Sequence, residues 1–388
     1  MKRTPIALSL TALLLAAAAA PVTAASLDLG AARTGISFGN SKKWNGLRFN
    51  LVDERVRSVR GVNVTLWIPE ENNRFHMDGI AAGLAAPCFG RMRGIAVGGG
   101  GLAGGDIYGI GIGGIGCATE KVNGVLIGGL GCATQDATGI IAGGIGCAAE
   151  DVNGILFGTV GAAAQDLDGI AFGGVGIAAE DVRGILIGGI GAAAQSVRGF
   201  ACGSIGLAKE DFTGIGIGGV GMAGERMAGL FVGGIGVGAE SVRGIVIGGV
   251  GVGAQDIHGL ALGGIGLGAE RIRGIAIGGA GVGAKRFRGF GAGLAGVGGG
   301  SLRGAFVGSF IAAERVRGAA IGGLYTHTKS SFRGFATGAV TRMEGTSRGL
   351  TIGVVNIAAV LDGVQIGAIN YAGNNEGWRK VLPLVNWH

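Results

Sequence analysis

Proline and aromatic residues are scarce in this chain, and their scarcity limits the kind of core it can form. The sequence has 5 prolines among 388 residues, and Phe, Trp and Tyr together make up 6% of it. So few rings exclude a broad, aromatic-rich globular core, and we expect a thin interior of aliphatic side chains instead. Glycine, by contrast, is abundant, with 89 residues in the chain. Such a glycine content is typical of low-complexity chains when it has no period, and of tightly stacked coils when it has one.

Residues that usually carry chemistry are sparse as well. The four histidines are scattered, with no recurrent Asp or Ser partner, and the five cysteines show neither C-x-x-C spacing nor a nearby His. Strings that satisfy G-x-G-x-x-G occur many times, whereas a nucleotide site needs that loop once, between a strand and a helix. We therefore expect no enzyme activity, no cofactor, no metal, no small-molecule substrate and no nucleic-acid partner.

One stretch, Gly184–Arg198 (GILIGGIGAAAQSVR), is repeated through most of the chain. A unit starts every fifteen residues, at Gly79, Gly94, Gly109, Gly124, Gly139, Gly154, Gly169, Gly184, Gly199, Gly214, Gly229, Gly244, Gly259, Gly274 and Gly289. A fixed short period is the mark of a repeat architecture, in which each unit packs on its neighbours. Positions 1 to 15 are counted from the first glycine of a unit, and a column is one position followed through successive units.

The columns predict which side chains face inward. Positions 2, 4 and 7 are mostly apolar, positions 11 to 13 carry charge, and position 14 is apolar again. Side chains alternate along a strand, and a change of phase at the Gly-Gly pair of positions 5 and 6 indicates a corner. We therefore expect columns 2, 4, 7 and 14 inside and columns 3 and 9 outside. A bend is expected at position 8, where Gly gives way to Asn in late units.

These features predict an all-β fold. We expect a single elongated repeat domain, in which coils of 14–16 residues stack into a parallel β-solenoid. The alternative is an antiparallel β-meander or barrel with one strand per repeat. The alternation of Glu and Gln at position 12, from Glu120 to Gln195, fits both folds. Columns 5 to 8 and 14 favour the solenoid.

The two ends of the chain depart from the repeat. Residues 1–24 combine Lys2 and Arg3, an apolar stretch and the small residues of Val22-Thr23-Ala24, which is typical of a cleaved secretory signal peptide. Atypical terminal units protect the open ends of a strand ladder. The remaining boundaries are a leader or N-terminal cap at 25–45, degenerate repeats at 46–78, the regular array at 79–303, degenerate C-terminal repeats at 304–376, and a C-terminal cap at 377–388 whose Trp378 and Trp387 plug the last coil.

The last repeats carry a resemblance to a known family. They read GLTIGVVNIAAVLD at 349–362 and GVQIGAINYAGNNE at 363–376, and LPLVNW follows. This ending resembles the bacterial exported surface-repeat proteins whose unit is G-x-x-x-G-x-x-N-x-A. The resemblance is looser over the central array, where Gly replaces the Asn at position 8. It implies an exported repeat protein and supplies no functional residues, because the family has no established biochemical activity.

Two columns are candidate binding surfaces. Position 15 becomes basic late in the array, and the resulting basic ridge consists of Arg183, Arg198, Arg243, Arg273, Arg288 and Arg303. Such a ridge would attract anionic polymers or lipid headgroups. The ordinary interpretation is a solvated corner whose arginines pair with acids of the same turns. Column 3 would form an outward apolar stripe, represented by Leu156, Leu186, Phe231 and Val246.

The cysteines give two readings. Cys117, Cys132 and Cys147 occupy position 9 of successive units, a column that also holds aliphatic residues. We expect them to be small apolar fillers, with an oxidised pair as the alternative.

The function that the sequence favours is an exported, non-catalytic repeat scaffold of the cell envelope or surface, outer-membrane-associated or secreted. Apolar stripes would drive self-association or contact with the envelope or membrane surface. The alternatives are an outer-membrane β-barrel protein and an adhesin-like binder of anionic polymer through the basic ridge.

Overall fold

A computed structural model describes residues 26–68 and 73–388. Nearly all of these residues lie in β-strands, and the one helix among them is a short 3₁₀ turn. The chain divides into two compact units, Met1–Glu150 and Asp151–His388, and each is described by itself. The predicted signal peptide lies outside the described residues.

The first unit begins with an antiparallel hairpin and continues as parallel coils. Its strands are β1 (Ser26–Ala31), β2 (Thr34–Gly39), β3 (Lys43–Asn50), β4 (Ser58–Thr65), β5 (His76–Gly83), β6 (Cys88–Gly98), β7 (Gly101–Gly113), β8 (Gly116–Gly128) and β9 (Gly131–Gly143). Strands β1 and β2 pair antiparallel, and each strand from β2 to β8 pairs parallel with the next. Strand β10 (Gly146–Gly158) contains the division between the units.

The second unit has the same architecture and ends in an antiparallel strand. Its elements are β11 (Gly161–Gly173), β12 (Gly176–Gly188), β13 (Gly191–Gly233), β14 (Gly236–Gly248), β15 (Gly251–Gly263), β16 (Gly266–Gly278), β17 (Gly281–Ala372), the 3₁₀ helix Gly377–Lys380, and β18 (Val381–Trp387). Strands β13 and β17 are long because the extended backbone continues through the corners of several coils. Neighbouring coils pair parallel, one repeat apart, so that Gly169 lies opposite Gly184. This arrangement confirms the parallel β-solenoid and rejects the antiparallel meander.

Most of the regular coils change direction at three places. Position 1 is a glycine with positive φ, the ladder skips position 12, and positions 6 and 7 form a bend, except where β13 and β17 continue as extended strand. At Gly184 φ is 136° and a Cβ would lie 2.0 Å from the carbonyl oxygen of Gly169, so that only glycine fits. The left-handed glycine is therefore at position 1. The bend expected at position 8 is wrong, because Asn356 and Asn370 at that position have negative φ and are fully buried.

The core consists of columns 3, 9 and 14. In the second unit Val182, Leu186 and Ala192 are at most 3% exposed. Column 14 was correctly predicted to face inward, whereas the assignment of columns 2, 4 and 7 to the interior is wrong. Alternation runs unbroken through the glycine at position 1, so an inward position 14 requires an inward position 3. The phase changes at position 12 instead, where the ladder skips a residue.

Columns 14 and 3 exchange volume from coil to coil. Val182 is followed by Leu186, Ile257 by Ala261, and Ile272 by Ala276, while Phe212 is followed by Gly216 and Phe287 by Gly291. In these coils a large side chain in one column is matched by a small one in the other. Met227 with Phe231 and Leu302 with Phe306 are exceptions, and there the small residue is Gly216 or Gly291 of the preceding coil. Volume is thus matched within a coil or between neighbouring coils, as close packing requires.

The C-terminal end of the second unit has a polar interior. Asn356 accepts a hydrogen bond from the Thr341 hydroxyl at 2.6 Å and donates one to the Asn370 side chain at 2.7 Å. Strand β18 then pairs antiparallel with the last coil and covers its edge. The tryptophans do not plug this coil, since Trp378 is 79% exposed and Trp387 is 53% exposed.

Candidate functional site

A row of β-branched side chains stands on the outside of the second unit at position 7. We call it the apolar ridge; it comprises Val160, Val175, Ile190, Ile205, Val220, Ile235, Val250 and Ile265. These residues come from eight successive coils and are between 46% and 60% exposed. Most are joined by backbone hydrogen bonds of 2.6 to 3.0 Å, such as that from the Ile265 amide to the Val250 carbonyl. The ridge is therefore a fixed apolar surface, because its backbone is part of the ladder.

Columns 2 and 4 add further apolar surface to these coils and to the next one. Ile215, Ile245 and Ile275 of column 2 are exposed by 39% to 43%, and Ile217 and Ile277 of column 4 by 40% and 41%. Soluble monomers rarely expose contiguous apolar patches of this kind. The prediction of an apolar exterior thus holds for different residues from those that were named.

The predicted apolar stripe lies in the core. Leu156, Leu186, Phe231 and Val246 are all at most 1% exposed. The prediction fails because columns 2 and 4 are richer in isoleucine than column 3, and apolar content alone does not indicate burial when both faces of a coil are apolar. The narrow interior takes residues that match in volume, and this matching between columns 14 and 3 is the sequence signal that could have identified it.

The six arginines of the predicted basic ridge lie in one column, but they do not form one continuous patch. Arg183 lies beside Arg198, and Arg273 lies beside Arg288 in the ladder. Arg243 is separated from these pairs and has His258 as its neighbour. All six predicted arginines are exposed, and within the described residues none forms an ion pair with an acid.

Two ion pairs of the second unit lie in column 13. Arg226 donates two hydrogen bonds, of 2.6 and 2.8 Å, to the carboxylate of Asp211 in the preceding coil. Arg271 binds Asp256 in the same two-pronged way, and this contact lowers the pKa of the Asp256 carboxyl. In these coils the acids of column 13 offset much of the basic charge.

A groove of about 1090 Å³ lies mainly over positions 13 to 15 of five later coils in the second unit, with the residue before column 13 at its rim in three of them. Its buried floor is Phe287, Leu302, Val316 and Phe332, and its cationic side chains are Lys285, Arg286, Arg288, Arg303, Arg315, Arg317, Arg333 and Arg348. Glu314 is the one acid among the described residues that line it.

Two of the eight cations have acidic partners outside the groove. Lys285 pairs with Glu270, and Arg348 pairs with Asp362 at 2.6 Å. The other six, Arg286, Arg288, Arg303, Arg315, Arg317 and Arg333, have no ion pair within the described residues, and we call them the groove arginines. Of these six, only Arg288 and Arg303 were predicted from the sequence. Arg286 and Arg315 belong to column 13, which is mixed in charge along the array and was not singled out as basic. Arg317 and Arg333 were missed because coils of 14 and 16 residues shift them out of the fifteen-residue count, although each still precedes a first-position glycine.

The cysteine column of the first unit is buried. Cys117 lies opposite Cys132 in the ladder, and the described cysteines are thiols and not disulfides. The Cys117 thiol donates to the Ile127 carbonyl at 3.2 Å. Its hydrogen bond to Cys132 and its burial raise the pKa of Cys117. Since Ile177, Met222 and Val237 are equally buried at position 9 of the second unit, the column is a core column filled by small or aliphatic side chains.

The first unit also contains a buried ion pair near its N-terminal end. The Arg48 guanidinium and the Asp53 carboxylate are in contact, and both side chains are at most 1% exposed. Asn63 and Thr65 donate to the same carboxylate. Burial alone would raise the pKa of Asp53, but the Arg48 charge and these hydrogen bonds together hold it below its usual value.

Two further properties concern the residues at 26–68 and 73–388. No helix among them is long and apolar enough to cross a bilayer. No group of three or more His, Cys, Asp or Glu side chains among them is placed to hold a metal ion.

Comparisons of the chain with protein-family models, curated proteins and solved structures find no match. The resemblance of residues 349–388 to bacterial surface-repeat proteins stays a prediction.

Proposed function

We propose that this protein is an exported, non-catalytic repeat scaffold of the cell envelope or surface, which associates through its apolar ridge. The observation that carries the proposal is the row of eight exposed Val and Ile side chains on a hydrogen-bonded backbone. Large exposed apolar surfaces mark sites of contact, here with another copy of the chain or an apolar layer of the envelope. The repeats present columns of like side chains and not a single distinctive cluster, which favours a scaffold over an enzyme.

Export is supported by the sequence at the N-terminus. Residues 1–24 have the charged start, the apolar stretch and the small-residue site of a signal peptide. N-terminal sequencing of the protein recovered from its native host should find the mature chain starting after Ala24. An intact Met1 in the envelope or secreted fraction would contradict export by this route.

The free energy gained by burying the ridge is comparable to the free energy that association costs. Full burial of a Val or Ile side chain is worth about 1.5–3 kcal/mol, so covering the exposed half of one gives about 1 kcal/mol. The eight ridge residues together would supply roughly 6–12 kcal/mol. Association costs about 4–15 kcal/mol, so the ridge supports moderate binding and columns 2 and 4 would strengthen it.

The test is a triple substitution on the ridge, Ile190→Ser, Ile235→Ser and Ile265→Ser. We expect the variant to be monomeric in sedimentation velocity at concentrations where the unchanged protein is oligomeric or needs detergent. Its circular dichroism should be unchanged, because the side chains are outside the core. The matched control is Ile215→Ser, Ile245→Ser and Ile275→Ser, which removes the same groups from column 2.

The outcomes separate the possibilities. Dissociation by the ridge variant but not by the control supports the ridge as the contact. Equal dissociation by both would assign association to the whole apolar exterior. Unchanged association of the ridge variant would refute the proposal.

Carbonate extraction of membranes tests the envelope contact separately. A peripheral scaffold should leave the membrane pellet, and a chain that stays in the pellet would contradict a peripheral role.

A further inference from the structure

We propose that the groove over positions 13 to 15 of the later coils binds a linear acidic polysaccharide, whose carboxylate or sulfate groups pair with the groove arginines. This inference does not depend on the apolar ridge, because the two surfaces use different columns. It is carried by the charge, the shape and the lining of the groove.

The charge of the groove departs from the pattern of the preceding coils. There, Asp211 and Asp256 of column 13 pair with the arginine one coil later. In the groove that column reads Arg286, Ser301, Arg315, Ser331 and Thr346, with no acid. The basic surface is therefore a local change of the repeat and not a general property of it.

The groove arginines repel one another in the absence of a ligand. Arg288, Arg303, Arg317 and Arg333 occupy one column in consecutive coils, at the strand spacing of about 4.8 Å. All four are exposed and unpaired within the described residues. A row of anions along the groove would remove this repulsion, and guanidinium groups bind carboxylate and sulfate oxygens by two parallel hydrogen bonds.

The shape of the groove fits a single extended polymer chain as its ligand. In column 13, Ser301 stands between Arg286 and Arg315, and Ser331 and Thr346 follow Arg315. These three short side chains deepen the groove and offer hydroxyl groups to a sugar. The floor is closed by buried side chains such as Phe287 and Phe332, at 0% and 1% exposure. A flat bilayer cannot enter such a groove. Its rings are also inaccessible for the base stacking on which single-stranded nucleic acids depend.

The experiment compares two triple variants of the full chain. The groove variant is Arg303→Gln, Arg317→Gln and Arg333→Gln. The matched control, Arg183→Gln, Arg198→Gln and Arg243→Gln, removes the same charge from the same column outside the groove. The probes are polygalacturonate and dextran sulfate, with uncharged dextran, phosphatidylglycerol vesicles and a single-stranded oligonucleotide for comparison. Affinity is measured at several salt concentrations.

We expect the unchanged protein and the control to bind the two acidic polysaccharides within about threefold of each other, while the groove variant binds at least tenfold more weakly. The decrease of affinity with rising salt should be less steep for the groove variant, because fewer counterions are released. Equal loss in both variants would show attraction by net charge alone and would overturn the proposal. Tighter groove-dependent binding of vesicles or oligonucleotide would overturn the choice of polysaccharide.

A single substitution keeps the test valid if the triple variant folds poorly. Ser301→Asp places an acid one coil before Arg315, in the geometry of the Asp256–Arg271 pair. Binding of polygalacturonate should weaken severalfold in this variant, with unchanged circular dichroism. Undiminished binding would contradict the assignment of Arg315 to the site.

Discussion

The packing around Gly291 offers a sharp test of which side chains form the core. Gly291 lies at position 3 between the rings of Phe287 and Phe306, whose centroids are 5.0 Å apart at an interplanar angle of 73°. A Cβ on Gly291 would come within 2.6 Å of Phe287 and 2.9 Å of Phe306. The φ angle of Gly291 is in a range that other residues adopt, so space and not backbone strain limits this position.

The substitution Gly291→Ala should therefore destabilise the second unit. Overpacking a closed core by one methyl group costs about 1–3 kcal/mol. The matched control is Gly283→Ala, because a Cβ there has nothing within 4 Å and φ is also ordinary. This control should be neutral or stabilising by about 0.4–1 kcal/mol, since alanine restricts the unfolded chain. The two variants should thus differ by roughly 1–4 kcal/mol.

Urea unfolding followed by circular dichroism measures the difference. The double variant Gly291→Ala with Phe287→Leu should lose less stability than the sum of the single changes, because the smaller side chain makes room for the new methyl group. If Gly291→Ala were as stable as Gly283→Ala, column 3 would not lie between the rings and the core assignment would be wrong.

Three further outcomes are expected. Asp53 contributes stability above the ordinary Asp pKa of about 3.9, and this is lost as the pH falls through its lower folded pKa. Asp53→Asn should flatten acid unfolding below about pH 4 and leave Arg48 unpaired, at a cost of about 3–5 kcal/mol at neutral pH. Gly184→Ala should destabilise more than Gly291→Ala, since its Cβ would meet a backbone carbonyl at 2.0 Å, and a melting curve checks this. Cys132 should react with a thiol reagent only after urea unfolding, and fast labelling of the folded protein would contradict its burial.

The architecture of this protein could be predicted from its sequence because the repeat is explicit. Fifteen-residue spacing from Gly79 to Gly289 defines the coil, and the Gly-Gly pairs such as Gly188-Gly189 mark one real corner. Periodicity and alternation are local properties, so they can be recognised in the sequence before the packing is known.

The inward face could not be predicted from apolar content, because both faces of the coil are apolar. Ile185 at position 2 and Leu186 at position 3 are equally hydrophobic, yet only Leu186 is fully buried. The alternation of side chains decides between them. It continues from the buried Val182 through the glycine at position 1, so that Leu186 points inward and Ile185 outward. Each repeat contains this alternation, but the inward positions can be recognised only when the side-chain volumes at positions 14 and 3 are compared across coils.

The basic groove was predicted in part. Arg288 and Arg303 fall on the regular count, whereas Arg317 and Arg333 are displaced by irregular coils. The pairing of acids with arginines in column 13 depends on which columns are neighbours in space, and this was not accessible before the register was known.

The glycine ladder at position 1 also governs how such a chain can change in length. Across the irregular coils a Cβ on Gly318, Gly334, Gly349 or Gly363 would lie 2.1 Å from the carbonyl oxygen of the preceding ladder glycine, the same close approach as in the regular array. One residue more or less is therefore absorbed elsewhere in the coil, and the ladder stays in line. We therefore expect that duplication or deletion of a whole repeat would lengthen or shorten the stack by one coil while the ladder on either side stays in line.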